Sequence, residues 1–208
     1  MTQAKERPIL FSAPMVRAIL SGQKTVTRRE VKKPAALDCL AAGFEPAFLA
    51  LPGNADLCPY GKVGDRLWVR EAWQADAQVN EVAPRELSHG EPIRYPADGA
   101  SRQTGCSMIT PGKTRPSIHM PRWVSRLLLE ITAVRVERLQ DISEEQAKAE
   151  GVRLYTDHAA LGDWWHVEGI ETYSADPRKS FELLWTSVGG DWKANPWVWV
   201  FEFKRVTP

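Results

Sequence analysis

Two stretches far apart in the chain alternate with period two, and they constrain the fold more than any other feature. Across 126–137, Leu127, Leu129, Ile131 and Ala133 fall on one side; across 197–204, Trp197, Trp199, Phe201 and Phe203 do the same. Successive side chains of a strand point to opposite faces, so each stretch predicts a long β-strand with one apolar face. Shorter strands are expected at 24–31, where Thr and Val favour extended backbone, at 65–70 and at 93–95. Helical patterns are few. One spans 12–20, with Ser12 as cap, Pro14 in the first turn, an apolar face of Met15, Val16, Ile19 and Leu20, and Gly22 as its stop. Another runs over 143–150, opened by the capping box of Ser143 and Gln146. A third starts at Asp176-Pro177 with a stripe of Phe181, Leu184, Trp185 and Val188 and stops at Gly189. Strands do not alternate regularly with helices, which argues against a doubly wound parallel sheet. A mixed α+β fold is expected instead: a small, partly open barrel with short peripheral helices.

The 208 residues fit one domain. Two irregular stretches, about 34–62 and 74–116, read as insertions, the second as a decorating lid. Lys and Arg total 27 against 26 Asp and Glu, a net charge of +1, which disfavours coating of long nucleic acid by charge alone but permits a local basic groove. The three Cys are odd in number and no C-x-x-C occurs, so free thiols and a cytoplasmic setting are expected. The N-terminal apolar run is too short for a leader, and no segment approaches the length of a membrane span. Nine Trp serve mainly a core, with one or two open to base stacking.

Several chemistries fail on spacing. Pro111-Gly112-Lys113-Thr114 lacks the earlier Gly of a phosphate-binding loop, since that position is Ser107. Cys39, Cys58, Cys106 and His119 are not spaced as zinc ligands, no G-x-S-x-G elbow is present, and no metal or cofactor is expected.

The informative segment is Ser21-Gly22-Gln23-Lys24-Thr25-Val26-Thr27-Arg28-Arg29, which leaves a helix and enters a strand. Thr25, Thr27 and Arg29 share a face, and Lys24 at the turn reaches back over it. That is either a solvated polar strand or a hydroxyl, an amine and a guanidinium converging on one spot. Glu150, just before Gly151, sits at a helix C-terminus, which disfavours negative charge. It is either exposed and indifferent or a proton carrier at a pocket.

The run Gly22-x-Lys24-x-x-Thr27-x-Arg29 resembles the signature of the ASCH domain family, G-x-K-x-x-[TE]-x-R. Further stretches resemble the longer, prophage-associated bacterial members. They include Gly64-Asp65-Arg66-Leu67-Trp68-Val69-Arg70-Glu71, Pro116-Ser117-Ile118-His119-Met120-Pro121-Arg122-Trp123 and Asn195-Pro196-Trp197-Val198-Trp199-Val200. The resemblance implies a PUA-like β-barrel with an exposed cleft and binding of RNA or a modified nucleoside. It also implies, as in small bacterial members, a metal-independent amidohydrolase acting on N4-acetylcytidine. Lys24 and Thr27 match two of that activity's residues through the signature, and Glu150 matches the third by its place after the I-S-E-E-like segment. Lys24 is then the base, Thr27 the nucleophile and Glu150 the acid.

Two alternatives stand beside this hydrolase. A non-catalytic RNA-binding module uses Arg28, Arg29, Arg66, Arg70, Lys113, Arg115, Arg122 and Arg126 for phosphates, with Trp68, Trp73 and Trp123 stacking bases. A ribonuclease needs an acid–base pair, for which His119 and Glu150 are the candidates.

Overall fold

The computed structural model describes residues 4–103, 105–155 and 162–207. Its elements in chain order are β1 (Glu6–Leu10), α1 (Ala13–Leu20), β2 (Val26–Glu30), α2 (Pro34–Ala41), α3 (Pro46–Leu49), β3 (Arg66–Arg70), β4 (Ile93–Arg94), β5 (Ser101–Arg102), β6 (Leu128–Arg138), α4 (Glu144–Ala149), β7 (Arg153–Tyr155), β8 (Trp164–His166), α5 (Pro177–Ser187) and β9 (Trp197–Val206). The two alternating stretches form the longest strands. They pair antiparallel, with Leu128 opposite Val206 and Arg138 opposite Trp197. Around them lies a mixed five-stranded sheet of order β1-β3-β6-β9-β2, in which only β1 and β3 run parallel. The sheet is open, with β1 and β2 as its edges. No helix among the described residues is long and apolar enough to cross a membrane.

Both faces of β9 are covered. Trp199, Phe201 and Phe203 join a core with Ile9, Phe11, Val16 and Ile19. Val198 and Val200 join a second core with Val26, Ile142, Phe181 and Leu184. A strand buried on both sides reads as a near-continuous apolar run, which Trp197-Val198-Trp199-Val200-Phe201 is. In β6 the expected face holds only to Ile131. The register shifts between Ile131 and Ala133, so Val134 and Val136, and not Ala133, continue the face toward the first core. A β-bulge inverts parity in this way.

Both irregular stretches are more structured than their composition suggests. The first contains α2 and α3, and its Ala36, Leu49 and Cys58 belong to the main core. The second, whose residue 104 lies outside the described residues, builds a separate core in which its Ala75, Leu87, Ile93 and Tyr95 pack with the flanking Trp73, Met120 and Val124. Polar clamps hold it. Arg115 lies over the Trp73 ring and donates to the carbonyls of Val79, Asn80 and Val82. The Asp76 carboxylate accepts from the N–H groups of Gln78, Ile109 and Thr110. Arg126 joins this core to the sheet, donating to Glu71 and Asp98 from above the Tyr95 ring.

Candidate functional site

Three local devices bring Lys24 and Glu150 together. Gly22 takes φ +77°, the left-handed conformation that ends α1 and turns the chain back. The backbone N–H of Gln23 and of Lys24 then both donate to the carbonyl of Ala18. Thr25 donates its N–H to the carbonyl of Ala149, anchoring the entry of β2 to the end of α4. The capping box of α4 forms as the sequence predicts, with Ser143 and Gln146 bonding reciprocally. Gly151 follows Glu150 with φ +108°, and a Cβ there would meet that of Ala18 at 3.3 Å. Glycine therefore permits both the turn and the close approach of α1.

Lys24 is fully buried. Its Nζ donates to Glu150 Oε2 at 2.5 Å and to the Glu150 carbonyl at 2.9 Å. The other carboxylate oxygen of Glu150 accepts from Arg28 Nη1 at 3.1 Å, and Arg28 Nη2 also reaches Glu137 at 2.6 Å and Gln146 at 2.8 Å. The exposed, indifferent reading of Glu150 is thereby excluded: its side chain is 4% exposed. Burial is the main influence on the Lys24 ammonium and lowers its pKa from the ordinary value. The ion pair with Glu150 opposes this, and Arg29 and Arg28 reinforce it.

Thr27 and Arg29 share a face of β2, as parity predicts. Arg29 Nη1 donates to Thr27 Oγ1 at 2.9 Å, and Nη2 donates to the carbonyl of Leu10 at 2.8 Å. The two edge strands of the open sheet, β1 and β2, are thus joined by a side chain. Phe11 connects the two halves of the cluster, with Lys24 Nζ 5.8 Å and the Arg29 guanidinium 5.1 Å from its ring centre. Among the described residues no hydrogen bond joins Lys24 to Thr27. Burial lowers the pKa of Arg29 as well, yet a guanidinium keeps its charge at ordinary pH.

An open cleft of about 780 Å³ adjoins the cluster, with Phe11, Arg28, Arg29, Lys33, Tyr60 and Trp185 in its lining. Lys24, Thr27 and Glu150 are not on that lining, and the side chain of Lys24 is 0% exposed.

The remaining residues expected at the site form another group, around β3 and the turns Ser117–His119 and Arg122–Val124. Arg70 and His119 line a second depression of about 510 Å³. The Trp68 ring is covered by the guanidinium groups of Arg70, 4.6 Å away, and Arg122, 6.0 Å away. Arg122 pairs with Glu6. Arg66 sits on β3 opposite Glu130 of β6. Trp123 stacks on His89 and under Arg102. Trp73 is wholly buried and unable to stack a base, while Arg115 and Arg126 are engaged internally, so these three leave the expected groove. Lys113 faces Glu81.

The sequence reading missed Arg28, Glu137 and Gln146 as members of the buried cluster, and Phe11 and Tyr60 as walls of the cleft. Arg28 was assigned to a phosphate groove, but its parity is opposite to that of Thr27 and Arg29, which was the available signal. Comparison with protein-family models, with curated proteins and with solved structures finds no match to this chain.

Proposed function

We propose that the chain is an ASCH-type, PUA-like domain that recognises a nucleotide and hydrolyses the amide of an N4-acylated cytosine through Lys24, Thr27 and Glu150. The observation that carries this reading is the buried Lys24–Glu150 pair at the entry of the strand that holds Thr27, with a lysine pKa lowered by burial. Enzymes use buried lysines of this kind as bases. Lys24 bonds Glu150 and Arg29 bonds Thr27, the Phe11 ring lies near both cations, and Gly22 makes the turn that precedes them. The Arg29 bond to Leu10, which brings the two free sheet edges together, supports a barrel-like closure.

In the proposed chemistry the proton on Lys24 Nζ passes to Glu150 Oε2 across their hydrogen bond, leaving a neutral amine and a carboxylic acid. Lys24 takes the Thr27 hydroxyl proton as Oγ1 attacks the acyl carbon. The C–N4 bond breaks, Glu150 protonates the departing amine, and an acyl ester remains on Thr27. Water, giving its proton to the cluster, hydrolyses the ester and restores Thr27. Because Lys24 and Thr27 are not hydrogen-bonded in this state, the sequence requires Phe11 or Arg29 to shift when substrate enters.

The test is to incubate the protein with N4-acetylcytidine and, separately, with a short RNA, and to look for cytidine, acetate and cut RNA. Lys24→Arg is the decisive variant, since it keeps a charge but surrenders no proton. Absence of hydrolysis by the wild type, or full hydrolysis by Lys24→Arg, removes the catalytic reading.

One observation favours a second reading, a binding module: Lys24 and Glu150 are shut away from the cleft. On that reading the buried charges only shape its floor, and Lys24→Arg keeps ligand affinity. Nothing supports the ribonuclease pair, since His119 lines one depression and Glu150 a small separate hollow.

A further inference from the structure

We infer that the cleft is built for a phosphorylated ligand, so that its substrate is a nucleoside monophosphate rather than a free nucleoside. The identity of the base rests on the proposed reading above; the phosphate does not.

The polar groups on the lining are strongly biased toward donors and cations. Arg29 bonds to the Thr27 hydroxyl and to the carbonyls of Arg28 and Leu10, all neutral acceptors. Lys33 donates to the carbonyl of Asp56. Among the described residues neither makes an ion pair. Among the described residues the single carboxylate on the lining, Glu30, is held by Lys32 at 3.4 Å. The indole N–H of Trp185 is buried without a partner, and an unmade bond at a buried donor is unfavourable. The first turn of α1 adds to the same bias. It contains no acidic side chain, and the Ser12 hydroxyl on the cleft lining makes no capping bond. A helix N-terminus favours an anion.

Two cations that form no ion pair among the described residues, although the Glu150 carboxylate acts on Arg29 from a distance, an unpaired indole N–H and a helix start favour an anion rich in acceptor oxygens. The walls suit the rest of a nucleotide: Tyr60 and Trp185 offer rings for a base. The volume, about 780 Å³, falls within the range of single small-molecule sites rather than a channel for a long strand.

Calorimetric titration of the full chain with cytidine 5′-monophosphate, cytidine and inorganic phosphate tests this without relying on turnover. The monophosphate should bind about tenfold or more tightly than cytidine, and raising salt from about 50 to 200 mM should shrink that advantage. Lys33→Met, at an exposed position, should remove much of the advantage while leaving cytidine binding unchanged. Trp185→Phe should weaken the monophosphate about threefold to tenfold. Glu30→Gln should strengthen it.

Equal binding of monophosphate and cytidine overturns the inference, as does an advantage that survives both Lys33→Met and Trp185→Phe. A short oligocytidylate binding about a hundredfold tighter than the monophosphate also overturns it, pointing to a strand. Phosphate-dependent binding without hydrolysis of any acylated cytosine would defeat the proposed activity and leave this inference standing. Hydrolysis with no preference for the phosphate would do the reverse.

Discussion

Lys24 Nζ lies 2.5 Å from Oε2 of Glu150 and 2.9 Å from the carbonyl oxygen of the same residue, so one ammonium fixes Glu150 through side chain and backbone together. It neutralises a carboxylate at the end of α4, where the helix dipole opposes negative charge. It also satisfies a carbonyl that the helix itself leaves open. The pair is thus structural whatever chemistry it performs.

Removing one member should therefore be damaging. Lys24→Met is expected to lose about 3–5 kcal/mol of stability, because it leaves a buried carboxylate short of a partner. Arg28 still holds Glu150, which places the loss toward the lower end. Lys24→Met combined with Glu150→Gln should lose less than the sum of the single changes. Urea denaturation followed by circular dichroism measures the cycle, and strict additivity would show that the pair is not coupled.

The pH dependence has a defined sign. Lys24 in the folded chain holds its proton less tightly than at its ordinary value of 10.5. Between the lowered value and 10.5 the unfolded chain binds more protons, so stability rises with pH across that window. The stability of wild type relative to Lys24→Met should climb there. Under the proposed mechanism, the rate should rise along a limb whose midpoint lies below 10.5. Glu150→Gln should move any residual limb lower still, since Glu150 raises the lysine pKa. A limb that moved upward would contradict the assignment.

Thr27→Val keeps the shape of a residue that is 1% exposed but removes both its hydroxyl and an acceptor for Arg29. Under the nucleophile assignment, hydrolysis of an acylated cytosine should fall by roughly 10⁴-fold or more. Thr27→Ser should keep a measurable share. Assays on N4-acetylcytidine decide between them, and an active Val variant would assign the attack to water.

Arg126→Ala should unseat the 74–116 insertion. It strips two salt bridges from Glu71, whose side chain is 1% exposed, and from Asp98. A loss of about 3–5 kcal/mol is expected for a buried carboxylate left unpaired. Limited proteolysis should then cut first within 74–116; unchanged protection there would show that its own apolar core suffices.

Gly151→Ala places a methyl 3.3 Å from Ala18 Cβ at φ +108°. A destabilisation of about 1–3 kcal/mol is expected from backbone strain alone, measured as a lower thermal midpoint. Little or no change would show that residue 151 leaves this backbone conformation without cost.

Much of the fold was legible because local signals agree. The α1 stripe and its Gly22 stop, the capping box of α4 and the alternation of β9 each needed only neighbouring residues. What was not legible depends on distant partners. β1 has little alternation of its own and is held by parallel pairing to β3, Glu6 opposite Arg66. The 74–116 segment looks irregular because clamps such as Asp76 and Arg115 hold it through backbone groups more than 30 positions away. At the site, parity correctly put Thr27 and Arg29 together. It also separated Arg28 from them, but no local pattern says that α4 and Glu137 would cover its face. The buried partnership of Arg28 was invisible for that reason.

The strand that carries Thr27, Arg28 and Arg29 has one neighbour in the sheet, β9, with Thr27 opposite Phe201. During synthesis β2 leaves the ribosome long before that neighbour exists. Until β9 slots between β6 and β2, the early strand has no ladder to join. Contacts this distant in sequence form slowly. Growing chains therefore hold Thr27, Arg28 and Arg29 on an unpaired strand until the Trp-rich C-terminal strand arrives.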